Sequence, residues 1–315
     1  MKTCLIYGHN GLDLDVTFNL LAFYRKAGLS VFYSDTLYDA DVLVVLRAVD
    51  KKIDLSPFNF SVVHIFDYGG WDYNAFIESI DHGISYIYCT SQEKKNRIIN
   101  DTSFPENRIF VAFPPVATRL WMADMKKPEY EIVHIGNYKP ITENDQYKEN
   151  FNKAIIDHNV HVWGLNWTGI VHKDLYHGKA GQFSVSGIYA KSAWSFGLMY
   201  PFQRSVTFSG RFWHAPLNGC QLFSEPGVCT FIPGVIETDY SFEDIEQRIK
   251  SPLADKQQVR QKALAFWNGE NEKIEKLVKV TFSHFINDNN KTGKLKNYLS
   301  VYVKNKAVML YHKMK

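Results

Sequence analysis

Ser209–Gly227 reads SGRFWHAPLNGCQLFSEPG. A polar loop runs into a short helix, Gly219 stops it, Cys220–Ser224 forms a buried strand, and Glu225-Pro226-Gly227 turns the chain away. A helix leading into a continuous apolar strand is the repeating unit of a parallel α/β sheet, whose strands are covered on both faces. The start of such a helix offers unpaired N–H groups and positive partial charge to a phosphate. Arg211 can add a bidentate, charge-assisted pair to the same group. Pro216 lies beyond the first turn, so the helix is expected to start late, near Trp213, or to bend.

Working outward, the same alternation fills the chain. In the first 115 residues the short apolar runs are Thr3–Tyr7, Ser30–Tyr33, Val42–Leu46, Val62–Phe66, Tyr86–Cys89 and Ile109–Phe113. Helical patterns lie between them, most clearly at Val16–Ala27 and Gln92–Ile99. Phe113-Pro114-Pro115 and the Lys126-Lys127-Pro128 stretch break the pattern, and we place a domain boundary there. Alternation restarts with a strand at Ile132–Ile135, a helix at Glu143–Ile156 and a strand at Val160–Trp163. A helix near Ile188–Ser195 and a strand at Ser195–Tyr200 follow, and Ser241–Phe285 is helical throughout, with Ser241 and Asp244 marking its start. The expected domains are residues 1–125 and 126–290, with a basic tail at 291–315. Two doubly wound units bring the carboxyl ends of both sheets to one cleft, where ligands of open parallel sheets bind.

The Ser209–Gly227 segment resembles the C-terminal signature of glycosyl transferase group 1, especially its spore-coat CgeB-like branch. Members of that branch carry Arg-x-Phe-Glu, small residues, a Gly, an apolar strand and an acidic turn. The resemblance extends over roughly Glu131 to Phe285 and, more loosely, over the first half. It implies the GT-B fold, with two Rossmann-like domains facing one cleft, and a glycosyltransferase using a sugar nucleotide. On this match Arg211 stands for the phosphate-binding Arg, Gly219 for the small residue closing the helix, and Glu225 for the acid after the strand. His214 stands where the family has the Glu that holds the ribose. Imidazole can bond to hydroxyls but cannot accept from two of them as a carboxylate does. Ser209 and Asn218 are the other polar groups of this segment within reach of phosphate or ribose.

Two further segments belong to the donor side. In VHIGNYKP (Val133–Pro140), Gly136 and Asn137 end a strand, Gly lets a ligand approach the backbone, and Lys139 can reach a phosphate. In Ser184–Ala190 the resemblance places a small polar residue, Ser186, and an aromatic, Tyr189, near the donor's base; Tyr189 can equally be a core contact. On the acceptor side, the Gly-containing loop GHNGLDLD (Gly8–Asp15) follows the first strand and is not GxGxxG. An inverting transferase, the chemistry we favour, needs a general base there. Asp13 is the first candidate and His9 the second; Asp15 can equally cap the following helix. In FDYGGWD (Phe66–Asp72), Asp67 and Trp71 can meet acceptor or sugar.

Composition bounds the rest. The chain has 315 residues, 45% hydrophobic and 15% aromatic, long enough for two cores. A net charge of +3 argues against a nucleic-acid partner. Asp13-Leu14-Asp15 resembles the metal-holding Asp-x-Asp of GT-A enzymes, but the two nucleotide-domain patterns point away from that fold, and His158 with His161 lacks further ligands for zinc. No metal and no cofactor besides the nucleotide-sugar substrate, UDP- or GDP-linked, is expected. The four scattered cysteines and a start without a signal-peptide pattern suggest a cytoplasmic protein. Residues 291–315 hold seven Lys and no acid, interleaved with aromatic and aliphatic residues. They suit peripheral contact with anionic lipid, where a saccharide or lipid-linked saccharide acceptor would reside, or a final packed helix. Two other readings share this scaffold: a phage-type DNA-base glucosyltransferase, and a non-catalytic sugar- or nucleotide-binding protein.

Overall fold

The computed structural model describes residues 3–7, 14–34, 36, 38–46, 58, 60–65, 84–138, 145–199 and 209–286. They form two compact units, one carrying the chain up to Ala117 and again from Asn268, the other Thr118–Arg204 and Ser209–Trp267. The first passage between units thus falls at Ala117–Thr118.

The first unit is a sheet of six parallel strands: β1 (Thr3–Tyr7), β2 (Ser30–Ser34), β3 (Val42–Leu46), β4 (Phe60–Ile65), β5 (Tyr86–Cys89) and β6 (Ile109–Val111). Their order is β2-β1-β3-β4-β5-β6, with Cys4 opposite Val31 on one side and Val42 on the other. The strand runs read from sequence are these strands. Val42–Val45 and Val62–Val63 are buried, as strands covered on both faces must be. Helix α1 (Leu14–Lys26) crosses from β1 to β2, and α2 (Gln92–Asp101) joins β5 to β6, with the Ser91 side chain accepting from the Lys94 N–H at its start. A buried polar chain stands on one face of the sheet. Tyr24 Oη lies 2.8 Å from His64 Nε2, the His64 ring stacks on Tyr88, and Tyr88 Oη lies 2.7 Å from Thr281 Oγ1.

The second unit is a sheet of five parallel strands: β7 (Tyr130–Ile135), β8 (His161–Trp163), β9 (Ser192–Phe196), β10 (Gln221–Ser224) and β11 (Val235–Glu237), in the order β11-β10-β9-β7-β8. Its helices are α3 (Thr118–Trp121), α4 (Gln146–Asp157), α5 (Ser184–Ala190), α6 (Arg211–Leu217) and α7 (Phe242–Lys250); α8 (Lys256–Ile286) begins here and ends in the first unit. The region expected to be one helical stretch from Ser241 is two helices parted around Pro252, and the Ser241 side chain does accept from the Asp244 N–H.

Three local expectations are corrected. Helix α5 and strand β9 lie several residues earlier than their sequence reading, because the junction is fixed from afar. Lys256 Nζ donates to the carbonyls of Ala190 and Ser192, both at 2.8 Å, and stops the helix. Helix α6 starts at Arg211 rather than near Trp213, and runs only to Leu217, so Pro216 falls in its closing turn. Strand β11 was not anticipated; three residues behind Gly234 carry too short a pattern.

The outer edge of β8 is covered. The Val162 N–H donates to Leu175 O (2.7 Å), His177 N–H to Val162 O (2.9 Å) and Gly164 N–H to Gly178 O (2.8 Å). His161 Nδ1 and His177 Nε2, 2.9 Å apart, sit across this seam.

Candidate functional site

In the second sheet β8 lies on one side of β7 and β9 on the other, so the crossover direction reverses between β7 and β9. At such a switch point the loops leaving the strands part and leave a crevice at the carboxyl ends. A cavity of about 310 Å³ lies there, lined by His134, Gly136, Asn137, Tyr138, Lys148, Phe151, Asn152, Trp167, Leu198 and Arg211.

Its walls are built from three loops and two helices. After β7 the chain is tied to the loop after β8. Gly136 N–H donates to Trp163 O (2.8 Å), Tyr138 N–H to Leu165 O (2.9 Å), Leu165 N–H to Asn137 Oδ1 (2.8 Å), and Trp167 Nε1 to Gly136 O (2.7 Å). Backbone groups that would otherwise be orphaned are thereby paired, and the loop is held ready for a ligand. Asp145 caps α4 by accepting from the Lys148 N–H, which sets Lys148 in the first turn.

Arg211 opens α6, in which every residue from Phe212 to Leu217 is buried. Packing of that helix therefore leaves the half-buried Arg211 side chain at the sheet's carboxyl end, where Nη1 donates to Leu198 O at 3.2 Å. On the floor, His134 is 4% exposed and its Nδ1 lies 3.0 Å from Phe196 O. Burial, followed by the neighbouring Arg211 cation, lowers its pKa to about 3, against a smaller opposing effect of the bond to Phe196. The ring is neutral at pH 7. Cavity charge thus comes from Arg211 and Lys148, and its polar neutral groups from Asn137, Asn152 and His134.

Of the residues expected at the donor, Gly136, Asn137 and Arg211 come together in this cavity. Ser209 supplies the carbonyl that accepts from the Phe212 N–H at the start of α6. His214 is buried against Trp121, edge to face with centroids 4.9 Å apart, and its Nδ1 lies 3.4 Å from Ser186 Oγ, so these two join α6 to α5 outside the cavity lining. Tyr189 is fully buried and presents no ring face for a base to stack on. Glu225 is also buried; its Oε1 accepts from the Met199 N–H at 2.9 Å, tying the end of β10 to the segment that carries Leu198. His9, Asp13, Asp67 and Lys139 lie outside the described residues, as do Trp71 and the 291–315 tail. Among the described residues no group of three or more His, Cys, Asp or Glu side chains converges, and no helix is long and apolar enough to cross a membrane.

Asn218 has a structural task. Its Nδ2 donates to Trp121 O (2.9 Å) and His214 O (2.7 Å), and its Oδ1 accepts from the Ala123 N–H (2.8 Å), all fully buried on the Asn218 side. Gly219 follows at φ +71°, where an added Cβ would meet Lys256 O at 2.7 Å and Met125 Sδ at 2.8 Å. Asn218→Ala leaves a buried N–H and carbonyls unanswered. It is expected to destabilise the protein by about 3 kcal/mol in urea unfolding; a loss under about 1 kcal/mol would show that water replaces the amide.

His134, Lys148, Phe151, Asn152, Trp167 and Leu198 received no role from sequence. Two signals were present: a His inside an otherwise apolar strand, and a Lys in the first turn of a helix.

No protein-family model and no curated protein matches the sequence. Solved structures do. AviGT4, a glycosyltransferase involved in avilamycin A biosynthesis, is similar with a TM-score of 0.58 at 12% identity, covering 90% of this chain and 99% of that one. Anabaena Alr3699/HepE, solved in complex with UDP and glucose, gives 0.57 at 11%, covering 90% and 100%. T4 phage BGT with its UDP-glucose substrate gives 0.56 at 13%, covering 89% and 99%. At these identities the likeness is one of fold, and with two parallel α/β sheets the chain has the GT-B fold of glycosyltransferases.

Proposed function

We propose that this chain is a metal-independent glycosyltransferase moving a sugar from a nucleoside-diphosphate sugar, UDP- or GDP-linked, to a surface polysaccharide or lipid-linked oligosaccharide. The observation that carries the reading is the convergence of Arg211 and Lys148 on one cavity at the β7/β9 switch point, beside the Gly136 backbone. As the bond from sugar to phosphate breaks, charge builds on the departing diphosphate. Fixed cations in a partly desolvated cavity stabilise that charge without reorganising. The fold supports the reading, since HepE was solved with UDP and glucose, and T4 phage BGT with UDP-glucose. The acceptor hydroxyl loses its proton to a carboxylate or imidazole of the first unit, Asp13 before His9 or Asp67, and the displacement inverts the anomeric centre. The enzyme works in the cytoplasm, with the 291–315 tail resting on anionic lipid.

A thermal-shift series with UDP, GDP, CMP and dTDP tests the donor. One diphosphate at a hundred times its Kd should stabilise the protein by about 2.7 kcal/mol, with EDTA present or absent. Release of that nucleotide from its sugar should then require an acceptor. Stabilisation by none of them would remove the reading, and binding without turnover would leave a nucleotide-binding protein. A DNA acceptor is the second reading, favoured by a DNA-modifying β-glucosyltransferase whose fold matches with a TM-score of 0.55. Turnover that depends on duplex DNA would select it.

A further inference from the structure

A hydroxyl taken out of water with a ligand needs an acceptor in the protein. The cavity at the β7/β9 switch point is rich in donors and poor in acceptors. The Arg211 and Lys148 side chains only donate, and no carboxylate is among the described residues that line it. Asn137 Oδ1 already accepts from the Leu165 N–H, and the Gly136 carbonyl from Trp167 Nε1.

His134 supplies what is missing. Its ring lies edge to face with Phe151, centroids 5.0 Å apart, and with Trp167, at 5.5 Å, so packing fixes the way it points. Phe196 O, 3.0 Å from Nδ1, can only accept, so Nδ1 carries the proton and Nε2 of the neutral ring carries a lone pair. Burial keeps the ring neutral, with its pKa lowered to about 3. Among the described residues Nε2 has no hydrogen-bond partner, yet it is not one of the polar atoms sealed from solvent. It therefore opens on the cavity that the residue lines. A Cβ built on Gly136 would stand 2.8 Å from Nε2 and 3.6 Å from Arg211 Nη2, so a ligand lying over Gly136 comes close to both an acceptor and a cationic donor.

We propose that His134 is a specificity-determining residue of this cavity, its Nε2 accepting a hydrogen bond from a hydroxyl of the donor's ribose or of the sugar to be transferred. This rests on the donor reading above. A lone pair repels the ionised oxygens of a diphosphate, which go to the cations instead. In a sugar nucleotide the groups bonded to the diphosphate on both sides are sugars, so their hydroxyls are the nearest donors to a phosphate held at Arg211. A hydroxyl can also accept from a guanidinium while it donates to the imidazole, which the imide N–H of a base cannot do.

Removing the hydroxyl from the ligand and the acceptor from the protein makes a cycle in which damage to packing cancels. UDP, 2′-deoxy-UDP, 3′-deoxy-UDP and UDP-glucose are titrated into the full chain and into His134→Asn, with the GDP forms in parallel. The Asn amide can keep the bond to Phe196 O but has no acceptor at the place of Nε2. Wild type should prefer UDP to one deoxy form, or UDP-glucose to UDP, by about tenfold, and in the variant that preference should fall within about twofold. The deoxy comparison would name the ribose as partner, and the glucose comparison the transferred sugar. Nucleotide bound with the same ratios in both proteins would overturn the assignment and leave the donor reading standing. Should wild type bind no UDP or GDP form, the donor reading falls and the assignment with it. If His134→Asn does not fold, the ¹⁵N resonance of wild-type Nε2 decides. An unprotonated Nε2 whose resonance moves with bound UDP-glucose supports the assignment, and a protonated or unmoved one overturns it.

Discussion

Arg211→Ala should weaken UDP binding by about 10²–10³-fold while changing stability by less than about 1 kcal/mol. Truncating one partner of a desolvated, charge-assisted contact costs about 2–5 kcal/mol of affinity. Loss of a side chain that is only partly buried and reaches Leu198 O through a single bond costs the fold little. Arg211→Lys should recover only part of the affinity. An ammonium cannot bond Leu198 O and the ligand in the geometry of a planar fork. Calorimetric titration checks affinity and urea unfolding checks stability. Unchanged affinity in the Ala variant would take Arg211 out of the site.

Gly164→Ala is expected to cost roughly 4 kcal/mol and to weaken nucleotide binding as well. Gly164 follows β8 with φ +155°, and an added Cβ would fall on the carbonyl of Gly136, which is already committed to Trp167 Nε1. Neither can yield alone. Gly136 N–H is tied to Trp163 O, Gly164 N–H to Gly178 O, and Tyr176 Oη donates to Gly164 O at 3.0 Å. The displacement therefore passes into the loop that carries Asn137 and Tyr138, which line the cavity. Urea unfolding with and without UDP measures both effects. An Ala variant as stable as wild type would mean that these two loops are not packed as described.

The parallel sheets were legible because their strands are covered on both faces, which leaves runs such as Val42–Leu46 with scarcely a polar residue. Helix starts marked by Ser or Asp were legible for the same local reason, as at Ser241. What escaped depends on partners distant in sequence. The α5/β9 junction is set by Lys256, more than 60 residues away. Tyr189 follows a polar, Gly-containing stretch that resembles a ligand loop, yet it folds into the core. Gly136, Asn137 and Arg211 could be singled out from motif and chemistry. Their companions His134, Lys148 and Trp167 become a site only when the crossover reverses between β7 and β9 and brings three loops to one place.

The strip at 172–178 that pairs with β8 has a consequence for how copies of this chain behave when crowded. A bare outermost strand is a template on which a neighbour can zip, one backbone row at a time, into aggregates. Here one margin of the second sheet is already occupied by the chain's own backbone, and the opposite margin, β11, is three residues long. Neither offers a row long enough to seed polymerisation, so this unit resists fibril growth by geometry instead of by surface charge.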